Sequence, residues 1–205
     1  MRTDPRPVSA IILAGGKARR FNGEDKGLLG LDGQPLAAWV VSRLAGHVAE
    51  ILVNANRNLA AYATLGHTVV PDHLPGQPGP LAGLLAAART ARQEWLLTVP
   101  CDVPFLPLDL AMRLHDQALE TQAPLVRVAD ETGTHFAIML AHRDLMPDLA
   151  AYVAGGGRQV QDWQARHPGE TLYFGEDPYA FLNINTQEDL KTAERLAKRY
   201  RRNTP

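Results

Sequence analysis

A Rossmann-like three-layer α/β sandwich, with a mostly parallel central sheet and an antiparallel strand in its C-terminal half, is the fold this sequence predicts. Three observations lead there. Short β-prone apolar runs alternate with segments of helical spacing, which by the right-handed crossover rule builds a parallel sheet. The first run, Val8 to Leu13, is nearly continuous in hydrophobicity, as expected of a strand covered on both faces, and it stops at Gly15 and Gly16. Glycine or short polar residues then stand at the ends of four successive predicted strands, namely Gly15, Asn54, Asp72 and Asp102.

The elements follow in order. Pro35 can open a helix whose inner stripe is Leu36, Trp39, Val40 and Leu44, ending before Gly46. Glu50 to Asn54 is a short β-branched second strand, Arg57 to Thr64 a short helix, and His67 to Pro71 the third strand, running into Asp72. The prolines and glycines of DHLPGQPGPLAG forbid regular structure, and Leu81, Leu84, Leu85 and Ala88 then repeat at helical spacing. Glu94 to Val99 reads as the fourth strand and Leu108 to about Glu120 as a helix. The turn DETGT joins strands Leu125 to Ala129 and His135 to Ala141, which so short a connection makes antiparallel. Helices are expected at about Asp144 to Ala154 and Gln159 to Ala165, and a last strand at Leu172 to Phe174. Thr186 and Asp189 form a capping-box-like pair before a final helix with Leu190, Ala193 and Ala197 inside.

Residues 1–205 are expected to form one domain. A net charge of −1 gives no general reason to expect nucleic acid or an anionic membrane, so any basic function must be local. No run approaches the roughly 18 apolar residues of a membrane span, and Met1 to Pro7 lacks the apolar core of a signal peptide, so a cytoplasmic protein is expected. The single cysteine, Cys101, excludes an intrachain disulfide and a cysteine-based zinc cluster.

In a parallel sheet all four strand ends lie along one edge, where ligands bind. Gly15 and Gly16 let the backbone approach a ligand, and Lys17, Arg19, Arg20 and Lys26 add cations to the amide donors, the pairing polyphosphate requires. The loop fits neither G-x-x-x-x-G-K-[ST] nor G-x-G-x-x-G. Asp102, held between prolines, is a hard oxygen ligand suited to Mg²⁺; as a helix cap it comes several residues too early, and Asp109 fits capping better. Asp72 reads either as a turn carboxylate or as an acceptor for the two donors of guanine. Cys101 reads as a small buried residue, since no histidine stands at a suggestive spacing.

The stretch LAGGKARRFNGEDKGLL resembles the signature of nucleotidyltransferases, and most of all that of the molybdenum cofactor guanylyltransferases. PGPLAG, PCDVPFLP and NINTQEDL are similar to three further family motifs in the same order, covering nearly the whole chain. The resemblance implies transfer of GMP from GTP to molybdenum-molybdopterin with release of pyrophosphate. It assigns Lys26, Asp102 and Arg20 to catalysis, and Leu13, Ala14, Gly15, Gly16, Lys26, Asn54, Asp72, Leu81, Gly83 and Asp102 to nucleotide binding. Asp102 and Asn185, with Asn183 beside them, would hold Mg²⁺, although both asparagines also read as cap residues for the last helix. Arg158 would meet the pterin phosphate. Gln159 stands in place of a frequent arginine, Phe136 follows His135 where the family has a proline, and Gln187 replaces the proline of N-x-N-T-P-E-D-L. Implied partners are GTP, molybdenum-molybdopterin and, transiently, the molybdenum insertion protein and recipient molybdoenzymes or their chaperones, with the enzyme a monomer. Two rival readings remain: a nucleotidyltransferase for another base or acceptor, such as a cytidylyl or sugar-phosphate enzyme, and a non-catalytic nucleotide or pterin carrier.

Overall fold

A computed structural model describes residues 4–15, 24–73 and 79–201. Gly16 and Arg20, expected in the phosphate loop and in catalysis, lie outside the described residues, as do Lys17 and Arg19. In chain order the elements are β1 (Arg6–Leu13), β2 (Gly30–Leu31), β3 (Gln34–Pro35), α1 (Leu36–Leu44), β4 (Val48–Asn54), α2 (Leu59–Ala63), β5 (Thr68–Val70) and α3 (Pro80–Ala88). Then come β6 (Trp95–Pro100), α4 (Leu110–Thr121), β7 (Leu125–Asp130), β8 (Gly133–His142), α5 (Met146–Ala154), α6 (Val160–Gln164), β9 (Glu170–Tyr173) and α7 (Gln187–Arg201). A short 3₁₀ turn at Lys26–Leu28 precedes β2.

Seven strands form one sheet in the order β5-β4-β1-β6-β8-β7-β9. Neighbouring pairs are parallel except where β8 is involved, which runs antiparallel to both β6 and β7. Burial on both faces explains why β1 reads as a continuous apolar run. Val8, Ala10 and Ile12 pack in one core layer with Ala37 and Val40 of α1 and Leu110 and Leu114 of α4. Ile11 and Leu52 pack in the opposite layer with α3, α5 and α6, through Leu84, Leu149 and Trp163. A third cluster, Leu31, Leu36, Trp39, Phe105 and Ala197, docks α7 onto α1 and the β2–β3 hairpin.

Two elements differ from expectation. The last strand is Glu170–Tyr173, and Phe174 leaves it for the core, 2% exposed against Phe181. The β2–β3 hairpin was not expected; Asp32 (φ 48°) and Gly33 (φ 78°) are both left-handed, as a tight hairpin turn demands.

Connections after β1 and β4 move to one side of β1, and the next returns to its other side at β6. This reversal beside β1 is the switch point at which a doubly wound sheet opens a crevice at its carboxyl ends. Backbone bonds hold the strand ends in register there: Ala14 donates to Asn54 O (2.8 Å), Ala55 to Val70 O (3.2 Å) and Cys101 to Leu13 O (3.1 Å).

Candidate active site

A cleft of about 430 Å³ lies along this edge, lined by Leu13, Gly15, Asn54, Asp72, Asp102 and Asn183, with Gly79, Pro80, Pro100 and Ala137 completing its walls. Asn54 and Asp72 stand at one end. Asn54 is 2% exposed, and its Nδ2 donates to Val70 O (3.0 Å) and to Asp72 Oδ1 (2.8 Å). Asn56 was not singled out from the sequence, yet its Nδ2 donates to Asp72 Oδ2 (2.7 Å) while its Oδ1 accepts from the Asp72 N–H (2.8 Å). The Asp72 carboxylate is thus clamped by two amides, one on each oxygen, and its plane is fixed. Each oxygen retains acceptor capacity, since a carboxylate offers about four lone-pair sites.

Helix α3 closes that end through its first turn. Leu81 points its side chain into the core, and a Cβ on Gly83 would lie 2.2 Å from Asn54 Oδ1. Gly83 is therefore the clearance that lets the helix pack on Asn54. The wall facing the cleft is Gly79 and Pro80, one turn earlier than the sequence indicated.

At the other end, three side-chain oxygens converge on the Lys26 ammonium. It donates to Asp102 Oδ2, to Asn185 Oδ1 (2.7 Å) and to Asn183 Oδ1 (3.3 Å). The geometry follows from local chain direction. The Ile184 N–H donates to the Asp102 carbonyl (3.0 Å) and the Ile184 side chain is fully buried, so residues 183 and 185 on either side of it share the opposite face. A reciprocal capping box then holds Asn185 at the entry to α7. Asp189 Oδ2 accepts from the N–H groups of Asn185 (2.9 Å) and Thr186 (2.8 Å), and Asp189 N–H donates to Thr186 Oγ1 (3.1 Å).

Asp102 is 9% exposed, and its Oδ1 is buried with no hydrogen-bond partner among the described residues. A desolvated carboxylate oxygen without a partner is costly, and a cation relieves that cost. Among the described residues no group of three His, Cys, Asp or Glu side chains could form a closed metal cage. One carboxylate with neighbouring amide oxygens instead suits a hard cation that keeps waters and takes phosphate oxygens. Cys101 is 5% exposed; burial, and after it the Asp102 charge, push its thiol up, away from the thiolate a nucleophile needs.

Arg158 is not brought into the cleft. Its guanidinium donates to Val153 O (3.0 Å) and Gly157 O (2.6 Å), closing the C-terminal end of α5. His135 pairs with Asp130 (2.9 Å) on the β7–β8 hairpin. Asp109 occupies the N-cap position of α4 without making a side-chain cap bond.

A switch-point cleft that holds a carboxylate pinned by amides at one end, and a lysine among hard oxygen acceptors at the other, defines a nucleotide-handling α/β protein. The MobA-like NTP transferase domain, a family model, matches residues 10–170, which makes the class nucleotidyltransferase. A molybdenum cofactor guanylyltransferase of Ralstonia nicotianae is 42% identical over 193 residues, covering 90% of this chain and 94% of that protein. One of Shewanella putrefaciens is 41% identical over 186 residues, covering 90% and 95%. The crystal structure of molybdopterin-guanine dinucleotide biosynthesis protein A from Archaeoglobus fulgidus matches the fold with a TM-score of 0.76 at 20% identity, covering 93% of this chain and 99% of that one. The chain belongs to the molybdenum cofactor guanylyltransferase family.

Proposed function

We propose that the protein transfers GMP from GTP to molybdenum-molybdopterin, giving the guanine dinucleotide form of the cofactor and pyrophosphate. The observation that supports this at the level of residues is the meeting of Lys26, Asp102 and Asn185 in the cleft that also holds the clamped Asp72. A terminal phosphate oxygen of the pterin attacks the α-phosphorus of GTP in line, the bond to the oxygen bridging to the β-phosphate breaks, and pyrophosphate leaves with that electron pair. The step needs no protein nucleophile, in keeping with a buried Cys101. The chain's own contribution is positioning and charge neutralisation.

In this reading Leu13, Ala14, Gly15 and Gly16 offer backbone to the nucleotide, while Lys26 and Arg20 meet its phosphates. Asn54 holds Asp72 in place for the base, and Leu81 and Gly83 belong to the helix end that closes over it. Asp102 and Asn185, with Asn183 beside them, would hold Mg²⁺, which when bound supplies charge neutralisation at the phosphates. Arg158 would have to release the α5 carbonyls to meet the pterin phosphate. No helix among the described residues is long and apolar enough to cross a membrane. A cytoplasmic monomer of one domain that meets a molybdenum insertion protein and recipient molybdoenzymes or their chaperones transiently completes the reading.

Pyrophosphate release, measured with molybdopterin as acceptor and each nucleoside triphosphate in turn, tests it. Guanine presents two donors to Asp72 where adenine presents an unprotonated N1, so GTP should exceed ATP by about 10³-fold or more in kcat/KM. Asp72→Ala should erode that preference more than it lowers activity with ATP. Equal use of GTP, CTP and ATP, or an unchanged preference in the variant, would overturn the assignment of the base.

A further inference from the structure

We propose that Asp25 is the positioning residue for Lys26, acting through its contacts with the β4–α2 connection and α2 and not through its charge on the ammonium. Neighbouring carboxylate and ammonium side chains at 25 and 26 would ordinarily be read as a solvated charge pair. Here they diverge. The Lys26 ammonium reaches Asp102, Asn183 and Asn185, whereas the Asp25 carboxylate is turned into the protein, its side chain only 4% exposed. Three donors from one segment of chain close on it: Tyr62 Oη donates to Oδ1 (2.6 Å), Asn58 Nδ2 donates to Oδ2 (2.9 Å), and Arg57 Nε lies 3.5 Å from Oδ2. Tyr62 is itself fully buried in the core layer that contains β1 and α1, so this anchor is tied to the sheet.

The residue on the other side of Lys26 is held as closely. A Cβ on Gly27 would lie 2.4 Å from Tyr62 Oη and 3.2 Å from Cys101 Sγ, so this backbone sits directly on Tyr62 and on the neighbour of Asp102. The Asp25 carbonyl also accepts from the Leu28 N–H (2.9 Å), which starts the 3₁₀ turn containing Lys26. Lys26 is thus gripped before and after by contacts that share Tyr62, and its long side chain starts from a fixed point against the end of β6. The connection that carries Arg57 and Asn58 also carries Asn56, one of the two clamps on Asp72. One segment therefore references both ends of the cleft.

The inference rests on the proposed reading only for its kinetic consequence, so its test has two arms. In the first, competitive acetylation with a trace of acetic anhydride is read by mass spectrometry, with Lys191 and Lys198 as references in the same molecule. Asp25→Asn presents an amide N–H₂ to donors that need acceptors, and should raise the relative labelling of Lys26 at least about threefold, because the ammonium loses its fixed approach to Asp102 and Asn185. Tyr62→Phe, which keeps the carboxylate and loses its shortest hydrogen bond, should shift labelling in the same direction by less. In the second arm, Asp25→Asn should lower kcat about tenfold or more with KM for GTP within about twofold, and should cost less than about twofold further in a Lys26→Ala background. Unchanged relative labelling in both folded variants, or a kinetic loss that multiplies fully with that of Lys26→Ala, would overturn the inference. Absence of GTP turnover in the unaltered protein would instead sink the proposed function, with the labelling arm still deciding the role of Asp25.

Discussion

Replacing Gly83 with alanine is expected to destabilise the protein, against the sign that helix propensity alone dictates. Gly83 lies inside α3, where Gly→Ala ordinarily adds about 1 kcal/mol of stability. Its missing Cβ, however, falls 2.2 Å from Asn54 Oδ1 and 2.9 Å from both Asn54 Cγ and Leu13 Cδ2, well inside contact distance. Asn54 cannot simply swing away, because it is buried and bonded to Val70 O and Asp72 Oδ1. Relief must come from moving α3 off the sheet, an overpacking cost of about 1–3 kcal/mol, or from breaking one or both Asn54 hydrogen bonds at about 1 kcal/mol each. Set against the propensity gain, the net effect is a loss of up to about 2 kcal/mol, or up to roughly 8 °C in Tm for a chain of this length. Scanning calorimetry reads the stability, and the KM for GTP reads the loosened Asp72, which should rise in the same variant. A Tm that increases on Gly83→Ala would refute the close approach of α3 to Asn54.

Two further outcomes follow from the site and the core. Asp102→Asn should leave the fold intact and lower turnover by at least about 10²-fold, the scale of losing a principal charge-stabilising group; unchanged pyrophosphate release at saturating Mg²⁺ would remove Asp102 from that role. Burial alone would raise the Glu50 carboxyl, but hydrogen bonds from Ser9 and Arg92 outweigh it and hold Glu50 below the ordinary glutamate range. A depressed folded value means stability that is present above the unfolded value of about 4.3 and lost as pH falls through the folded one, so urea midpoints should drop on acidification below about pH 4.5. Glu50→Gln should flatten that drop, and an undiminished slope in the variant would show that other carboxylates cause it.

The sheet was legible because strands buried on both faces have long apolar runs, and Ala10–Leu13 of β1, Ile51–Val53 of β4 and Trp95–Leu97 of β6 are such runs. The cleft end of each strand was legible for the converse reason: Gly15, Asn54, Asp72 and Asp102 break off apolar runs at four successive strand ends. Contacts between side chains distant in sequence were not. Asn56 could have been found from strand periodicity, since it shares a face with Asn54 if β4 is continued by two residues. The Asp32-Gly33 pair likewise announces a hairpin turn, overlooked because its strands are only two residues each. Asp25 gave no such signal, because its partners lie 33 and 37 residues away and a carboxylate beside a lysine reads as a solvated pair. The sequence places the edge strand at Leu172 to Phe174, whereas β9 is Glu170–Tyr173 and Phe174 leaves it for the core, its N–H still donating to Ala129 O (2.8 Å).

The reversed direction of β8 gives the cleft its wall at Ala137. A strand parallel to β6 would end at the ligand edge in a loop. Because β8 is antiparallel, it arrives from beyond that edge as the second arm of a hairpin, pairing with β6 only from Met139 to His142. Residues 133–138 run past the last β6 partner, on the order of 20 Å of strand at about 3.4 Å per residue, paired to β7 by Ala129↔Thr134 and Asp130↔Gly133. Ala137 from this stretch lines the cleft, and its carbonyl is fixed by Thr98 Oγ1 (2.9 Å). His135 braces the stretch: it pairs with Asp130 at 2.9 Å and lies 4.9 Å from the Phe181 ring, which in turn meets Phe174 edge-on. Burial would raise the Asp130 carboxyl, but hydrogen bonds from Thr132 and His135 outweigh it, so the pair favours a charged carboxylate. If this hairpin is the wall against which the pterin rests, His135→Ala removes the contact with Asp130 and an aromatic contact, each worth about 0.5–1 kcal/mol, and should raise KM for molybdopterin up to about thirtyfold. The KM for GTP, whose proposed contacts lie at the ends of β1, β4, β5 and β6, in the turn that carries Lys26 and at the start of α3, should stay within about twofold. Steady-state kinetics with each substrate varied in turn decides the matter, and equal increases in the two KM values would show that the hairpin supports the whole cleft and not its acceptor half.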